Sequence, residues 1–446
     1  MSQSTTFAAL GLIDPLVATL DALGYHVPTA VQEQAIPPVL LGRDVMAAAQ
    51  TGTGKTAGFA LPILQRLTKS GAVGPNAARA LILVPTRELA EQVHESVRAY
   101  AAGLLLRTLV AYGGVSINPQ MMALRKGVDV LVATPGRLLD LQRQNAVHFK
   151  EVKTLVLDEA DRMLDLGFAR ELDGILGALP KKRQTLLFSA TFSDPIRALS
   201  NRMLNDPVRI EATPRNTTVA AVKQWLVPVD KKRKPELFLH LLKQHDWPQV
   251  LAFARTRKGV DELVALLEAK RLTADSIHGD KPQPARLRAL ERFKAGEVRV
   301  LVATDVAARG LDIDDLPAVI NVDLPIVAED YVHRTGRTGR AGASGEAVSL
   351  VCADEVEQLA AIEVLTKQML ERVEEPGFAP EHRVPLTDAA GQIVKKPKKP
   401  KKPKGDAPVV SEDVRFRGQG AASGATAGAA PARPAARPRR PATKRR

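Results

Sequence analysis

At 446 residues, with 45% hydrophobic and 25% charged residues, the chain has the length of two or three globular domains and the composition of an ordinary soluble enzyme. Its N-terminus has no basic stretch leading into an apolar run, and nowhere do 18 apolar residues stand together, so neither a secretory signal nor a transmembrane helix is expected. The single cysteine, Cys352, excludes an intramolecular disulfide or a cysteine-built metal cluster and reads as an inert buried thiol in a reducing cytoplasm.

In chain order, short apolar runs alternate with helical spacing. The first five are RDVMAAA (43–49), RALILVP (79–85), DVLVATP (129–135), TLVLDEA (154–160) and QTLLFSA (184–190). Five more follow: PQVLAFA (248–254), ADSIHG (274–279), VRVLVATD (298–305), AVINVDL (318–324) and EAVSLVC (346–352). Near-continuous apolar strands separated by helices predict buried parallel sheets, hence two α/β domains in tandem. A polar, proline-containing break places the first domain at 1–211, a linker at 212–219 and the second domain at 220–375. The halves share this architecture without being a sequence repeat.

Net charge is +14, yet residues 391–446 alone hold 16 Lys and Arg against 3 Asp and Glu. The two expected domains are therefore almost neutral. From 376 onward the composition changes toward Lys, Arg, Pro and Ala, too poor in large apolar groups to offset the entropy of ordering. A disordered basic tail is expected over 376–446. Its lysines suit non-specific contact with phosphates, although a merely solubilising role would need the same composition.

The chemistry concentrates where open parallel sheets hold ligands, at the carboxyl ends of strands. AQTGTGKT runs from Ala49 through Gln50, Thr51, Gly52, Thr53, Gly54 and Lys55 to Thr56, between a strand and an apolar helix. Gly52 and Gly54 let backbone N–H groups close around a phosphate at a helix start. Lys55 would meet the β- and γ-phosphates, and the Thr56 hydroxyl would bind Mg²⁺. In LVLDEAD, Asp158 follows four apolar strand residues and cannot stay buried unpaired. Coordination of Mg²⁺ answers that difficulty, leaving Glu159 to orient or deprotonate an attacking water. ATP and Mg²⁺ are the expected substrate and metal.

These motifs resemble those of DEAD-box RNA helicases, which have two RecA-like domains, and the resemblance covers roughly 7–350. It implies adenine recognition by Phe7, Tyr25, Thr29 and Gln32, where an amide can both donate and accept. Pro85, Thr86 and Arg87, then Gly113 and Gly114, then Thr134, Pro135, Gly136 and Arg137, are similar to the family's RNA-backbone motifs. Hydroxyls, open backbone N–H groups and arginines suit phosphates and carry no base-reading pattern. Ser189 and Thr191 resemble the segment coupling hydrolysis to strand separation.

In the second half, Arg255, Gly279, Thr304 and Gly310 are implied as RNA contacts and Asp305 as a nucleotide contact. YVHRTGRTGR (331–340) implies Arg337 and Arg340 as arginine fingers on the γ-phosphate, with His333 in coupling. Pro282 and Pro284 depart from the family pattern beside Gln283, which would alter RNA contact at Gly279–Gln283. The subgroup resembled is the bacterial RhlE type, from the HGDK segment and the basic tail. The expectation is thus an RNA-dependent ATPase and monomeric cytoplasmic helicase with no membrane partner, acting on RNA duplexes and on ribosomal precursors. Its competitors are an ATP-gated RNA clamp, a DNA translocase and a metabolic kinase, the last leaving the arginine loop unexplained.

Overall fold

Ile82 faces one apolar cluster while its neighbours Leu81 and Leu83 face another, and the same alternation recurs at Val130/Leu131, Val156/Leu155 and Leu186/Leu187. Strands apolar on both faces must be covered on both faces, and this requirement sets the architecture. The computed structural model describes residues 5–49, 53–69, 71–189, 192–211, 222–308, 313, 315–339, 345–388 and 390–393.

The first sheet comprises β1 (Val45–Ala48), β2 (Ala78–Leu83), β3 (Thr108–Ala111), β4 (Val128–Ala133), β5 (Thr154–Leu157), β6 (Gln184–Ser189) and β7 (Val208–Glu211). Its strands are all parallel, in the order β3-β4-β2-β5-β6-β1-β7. The second comprises β8 (Val222–Pro228), β9 (Val250–Phe253), β10 (Ala274–Ile277), β11 (Val300–Ala303), β12 (Ala318–Asn321), β13 (Gly345–Val351) and β14 (Glu371–Arg372). It too is wholly parallel, ordered β10-β11-β9-β12-β13-β8-β14. Counted from each sheet's own first strand, the two orders are identical. The fold is two RecA-like lobes in tandem.

All ten apolar runs hold strands. Four strands lie outside them: β3, β7, β8 and β14. Helix Lys55–Thr68 follows β1 and packs on helix Ala30–Leu40, with Gly58 allowing close approach to Ala35. Phe59 from that helix meets Phe188 of β6 at 5.2 Å between ring centres.

The compact region does not end at 375, and that boundary is corrected here. Phe378 is buried in the core of the second lobe, beneath the Arg233 guanidinium at 4.6 Å. The Asp230 carboxylate accepts from the backbone N–H groups of Glu381 (2.9 Å) and His382 (3.2 Å). Val384 joins another apolar cluster of that lobe, and the Thr387 hydroxyl donates to Glu363 at 2.5 Å. Scattered single anchors of this kind have no periodicity for a sequence reading to detect. The expected linker, 212–219, and the tail beyond 393 lie outside the described residues. Among the described residues, no helix is long and apolar enough to cross a membrane.

Candidate nucleotide and RNA site

Ala49 leaves β1 with its N–H donating to the Ser189 carbonyl at 3.0 Å, which ties the phosphate loop to the end of β6. Gln50, Thr51 and Gly52 lie outside the described residues. Gly54 caps helix Lys55–Thr68 at φ +83°, a left-handed conformation in which a Cβ would collide with the Gln32 amide nitrogen. Only glycine fits there.

The upstream residues brace this loop. Gln32 Oε1 accepts from the Thr29 N–H (2.9 Å), its Nε2 donates to the Gly54 carbonyl (3.1 Å), and the Thr29 hydroxyl donates to the Thr53 carbonyl (2.8 Å). An amide has two lone pairs and two donors, so these contacts use one of each on Gln32. Phe7 is buried in the core and Tyr25 is exposed.

Lys55 and Asp158 meet at the bottom of the site. Lys55 is buried, and its Nζ has no hydrogen-bond partner among the described residues. Asp158, at the end of β5, is buried too, and burial raises its pKa to about 6, against the opposing pull of Lys55. For Glu159, burial acts in the same upward direction, but Arg162 at 2.9 Å and Lys55 outweigh it and hold the carboxyl below its ordinary value. Glu159 sits at φ +54°, a costly conformation for a glutamate, at the turn into helix Ala160–Asp165. Two adjacent acids are therefore pushed in opposite directions. Lys55 only partly offsets the burial of Asp158, whereas Glu159 is held as an anion.

The second lobe reaches this site. Arg162 Nη2 donates to the Val306 carbonyl at 3.4 Å, and buried Arg337 is among the charges holding Glu159 ionised. Helix Ala328–Thr335 carries His333, which lines a small cavity with Asp305, Asp330, Arg334 and Arg337. Arg334 was not expected to matter, yet its guanidinium is fully engaged. It grips Asp305 at 2.5 and 2.6 Å, donates to Asn321 Oδ1 and the Asp323 carbonyl at 2.8 Å each, and lies 4.6 Å over Phe253. Asp305 is thus held by an arginine from the same motif as Arg337. Arg340, Gly310 and Thr191 lie outside the described residues, while Ser189 is fully buried.

The expected RNA contacts fall into two groups. In the first lobe, Thr86 caps helix Arg87–Tyr100, accepting from the Leu89 N–H. Arg87 then lies against Gly114, whose φ of +77° and missing Cβ make room for the guanidinium. Thr134 and Pro135 begin helix Pro135–Arg143, and Arg137 Nη2 donates to the Val115 carbonyl at 2.8 Å. Its Nε and Nη1 stay buried without partners among the described residues, and burial lowers its pKa. Added Cβ atoms at Gly113 and Gly136 would meet nothing, so both backbones are open. Arg137 thus joins the segment beside Gly114 through Val115, and it lies near enough to Arg87 for the two charges to be felt.

In the second lobe, Arg255 is drawn into the fold by Glu355 (3.0 Å) and the Leu324 carbonyl (3.3 Å). Arg257 is the arginine near Gly279, with its guanidinium 3.5 Å from where a Cβ would stand and paired with Asp280 at 2.5 Å. Exposure and a neighbouring glycine, rather than motif position alone, single it out. Thr304 caps the short helix Asp305–Ala308 through its carbonyl.

The DEAD/DEAH box helicase family matches residues 29–199, and the helicase conserved C-terminal domain matches 233–342. The DEAD-box ATP-dependent RNA helicase CshA of Geobacillus kaustophilus is 42% identical over 372 residues, covering 83% of this chain and 79% of its own. Its counterpart in Bacillus subtilis is 40% identical over 374 residues, covering 84% and 75%. Among solved structures, Mss116p bound to single-stranded RNA and AMP-PNP superposes with a TM-score of 0.76 at 30% identity, covering 84% of this chain and 81% of its own. Dbp5 of S. cerevisiae bound to RNA and ADP BeF3 gives 0.72 at 32%, covering 83% and 95%.

Proposed function

We propose, for a chain that belongs to the DEAD-box family of ATP-dependent RNA helicases, that ATP and RNA are sensed jointly by a site split between its two lobes. The protein is an RNA-dependent ATPase that couples ATP hydrolysis to local unwinding or remodelling of RNA. The observation that carries the mechanism is the contact of the two lobes at Glu159's partner, where Arg162 donates to the Val306 carbonyl of the second lobe and buried Arg337 adds its charge.

In this reading ATP lies on the loop from Ala49 to Thr56, with Lys55 supplying the charge that meets its β- and γ-phosphates. The residues fit a divalent cation, because burial pushes Asp158 to about 6 despite Lys55, and Thr56 stands in the first turn of the adjoining helix. Magnesium bound there by Asp158 and Thr56 would neutralise charge developing on the phosphates. Glu159, an anion held by Arg162, orients and accepts a proton from the attacking water. Arg337, with Arg340, stabilises the transferring phosphoryl group once the lobes are closed, and Arg334 keeps that loop and Asp305 in register. RNA lies sequence-independently across Arg87, Arg137 and the Gly113–Gly114 turn on one lobe and the Gly279 region on the other. Binding both ligands shifts the population toward closure, and hydrolysis reopens the lobes.

Within the family, the RhlE-type reading rests on HGDK at 278–281 and on the basic sequence after 393, whereas the curated relatives above carry the CshA name. Ribosomal precursors as substrates, a monomeric state and a cytoplasmic location belong to the same proposal. The decisive experiment is strand displacement of a short RNA duplex with and without ATP, alongside ATPase measured with RNA and with DNA. Hydrolysis stimulated by RNA without strand displacement would leave the clamp reading in place, and stimulation by DNA alone would overturn both.

A further inference from the structure

Charge is unevenly placed on the first lobe. Its phosphate loop, its acids and its RNA-contacting turns all leave the carboxyl ends of strands. The amino ends form the opposite edge of the sheet, at least about 13 Å away across strands of four to six residues. The seven helix-to-strand connections at that edge hold 10 Lys and Arg against 3 Asp and Glu, in a chain whose two lobes are together almost neutral.

The three acids there are occupied. Asp44 accepts from the Thr185 and Asn205 N–H groups at 2.7 and 2.8 Å, Glu151 accepts from that of Gly74 at 3.1 Å, and Asp206 pairs with Arg43 at 3.2 Å. By contrast Arg107, Lys126, Lys150, Lys153, Lys181 and Lys182 are all exposed, and none pairs with a carboxylate among the described residues. They precede β3, β4, β5 and β6, which the strand order spreads along a row of about 20 Å.

Helices end at this edge, and their terminal carbonyls favour nearby cations. That preference acts equally on both lobes, which share one strand order. Yet the six helix-to-strand connections of the second lobe hold 7 Lys and Arg against 5 Asp and Glu, and two of the seven are Arg337 and Arg340. A third, Arg299, is paired with Asp246 at 3.1 Å. The free positive charge therefore belongs to the first lobe and not to the fold.

We propose that this edge is a second RNA surface, which holds a duplex flanking the strand on which the catalytic site acts. A row of about 20 Å faces roughly a dozen duplex phosphates. Lysines, as compact charges on flexible stems, follow a backbone without reading bases. The exposed leucines at this edge, Leu41 and Leu105, precede β1 and β3, five strand positions apart, so no apolar patch accompanies the charge to favour a lipid surface or a protein partner. Contact at both edges anchors the enzyme beside the duplex it opens.

This surface rests on the RNA-dependent reading above, and the two fail differently. RNA affinity across a salt series, RNA-stimulated ATPase and unfolding temperature are measured for the full chain and for a variant combining Lys150→Gln, Lys153→Gln, Lys181→Gln and Lys182→Gln. The substrates are a short single strand and the same strand flanked by a long duplex. Hydrolysis that neither substrate stimulates would sink the functional reading itself. Given stimulation, the variant should bind the flanked substrate at least about tenfold more weakly, with a log–log salt slope smaller by about 3. Its affinity for the short strand, its half-maximal ATPase concentration on that strand and its unfolding temperature should match wild type. The four corresponding Lys→Arg changes should restore the slope. Unchanged affinity for the flanked substrate, an equal loss on both substrates, or loss of binding to phosphatidylglycerol vesicles with RNA affinity intact would each overturn the proposal.

Discussion

Replacing Asp158 by Asn should abolish hydrolysis and make the ligand-free protein more stable. The carboxyl is buried at the end of β5, and its pKa stands at about 6 against 3.8 in the unfolded chain. The folded state therefore disfavours the ionised form. The deficit is absent below the unfolded value, grows as pH rises through the interval up to the folded value, and is complete above it. At neutral pH it amounts to about 3 kcal/mol, the attraction to Lys55 being already included. Asparagine mimics the protonated form and escapes the deficit. For a lobe of this size the gain is roughly 6–12 °C in unfolding temperature. Calorimetry without nucleotide or divalent cation, at pH 7.5 and again at pH 4.5, is the assay. The gap between variant and wild type should shrink to about a third at the lower pH. A variant no more stable than wild type at pH 7.5, or a gap indifferent to pH, would refute the reasoning.

Glu159→Gln should bind ATP normally while turnover falls at least a hundredfold, as expected for loss of a base; single-turnover hydrolysis and a fluorescent-nucleotide titration measure the two. Arg337→Ala should lower RNA-stimulated kcat by about a thousandfold with nucleotide affinity unchanged, because its contact forms only on closure. Deleting 394–446 removes 16 positive and 3 negative charges. RNA affinity should weaken and its salt dependence flatten, with basal hydrolysis spared, which filter binding across a salt series would show.

How much of this was legible depended on whether a residue's role is local. The loop at Gly54 and the acids after β5 announce themselves because phosphate and metal chemistry constrain neighbours in sequence. The missed strands had weaker signals for physical reasons. Sheet-edge β3 and β7 expose residues that a central strand would bury, and β14 is two residues long. Interior β8 begins with adjacent polar residues Lys223 and Gln224, the lysine exposed, which interrupt the apolar run. Arg334 and Glu88 escaped because their partners are remote: Asp305 is 29 residues from Arg334, and Gln283 is 195 from Glu88. No spacing rule reaches that far.

The matching strand orders make one more comparison possible, between the positions where each lobe could hold a phosphate. In the first lobe, Lys55 opens the helix after the first strand and faces Asp158 after the fifth. In the second, Lys234 opens the corresponding helix Lys234–Gln244, and Asp323 follows β12, the corresponding strand. There the charges are satisfied internally. Lys234 Nζ reaches Glu355 at 2.6 Å, the Val322 carbonyl at 2.8 Å and Asp323 at 3.3 Å, and these contacts overcome burial to hold Asp323 below its ordinary pKa. The turn after β8 is occupied as well, because the Glu381 and His382 N–H groups fill the Asp230 carboxylate. One fold therefore yields an open site where the lysine ammonium makes no hydrogen bond to a described residue and the aspartate is raised by burial, and a closed one where the lysine binds two carboxylates and the aspartate is held low. Lys234→Met should strand Glu355 and Asp323 and cost about 3–5 kcal/mol of second-lobe stability at unchanged nucleotide affinity. Lys55→Met should lose nucleotide, with a smaller fall in unfolding temperature than Lys234→Met because Lys55 makes no hydrogen bond to a described residue. Calorimetry paired with nucleotide titration distinguishes them, and a Lys234 variant that lost nucleotide while keeping its stability would show that satisfied charge is not what closes the second site.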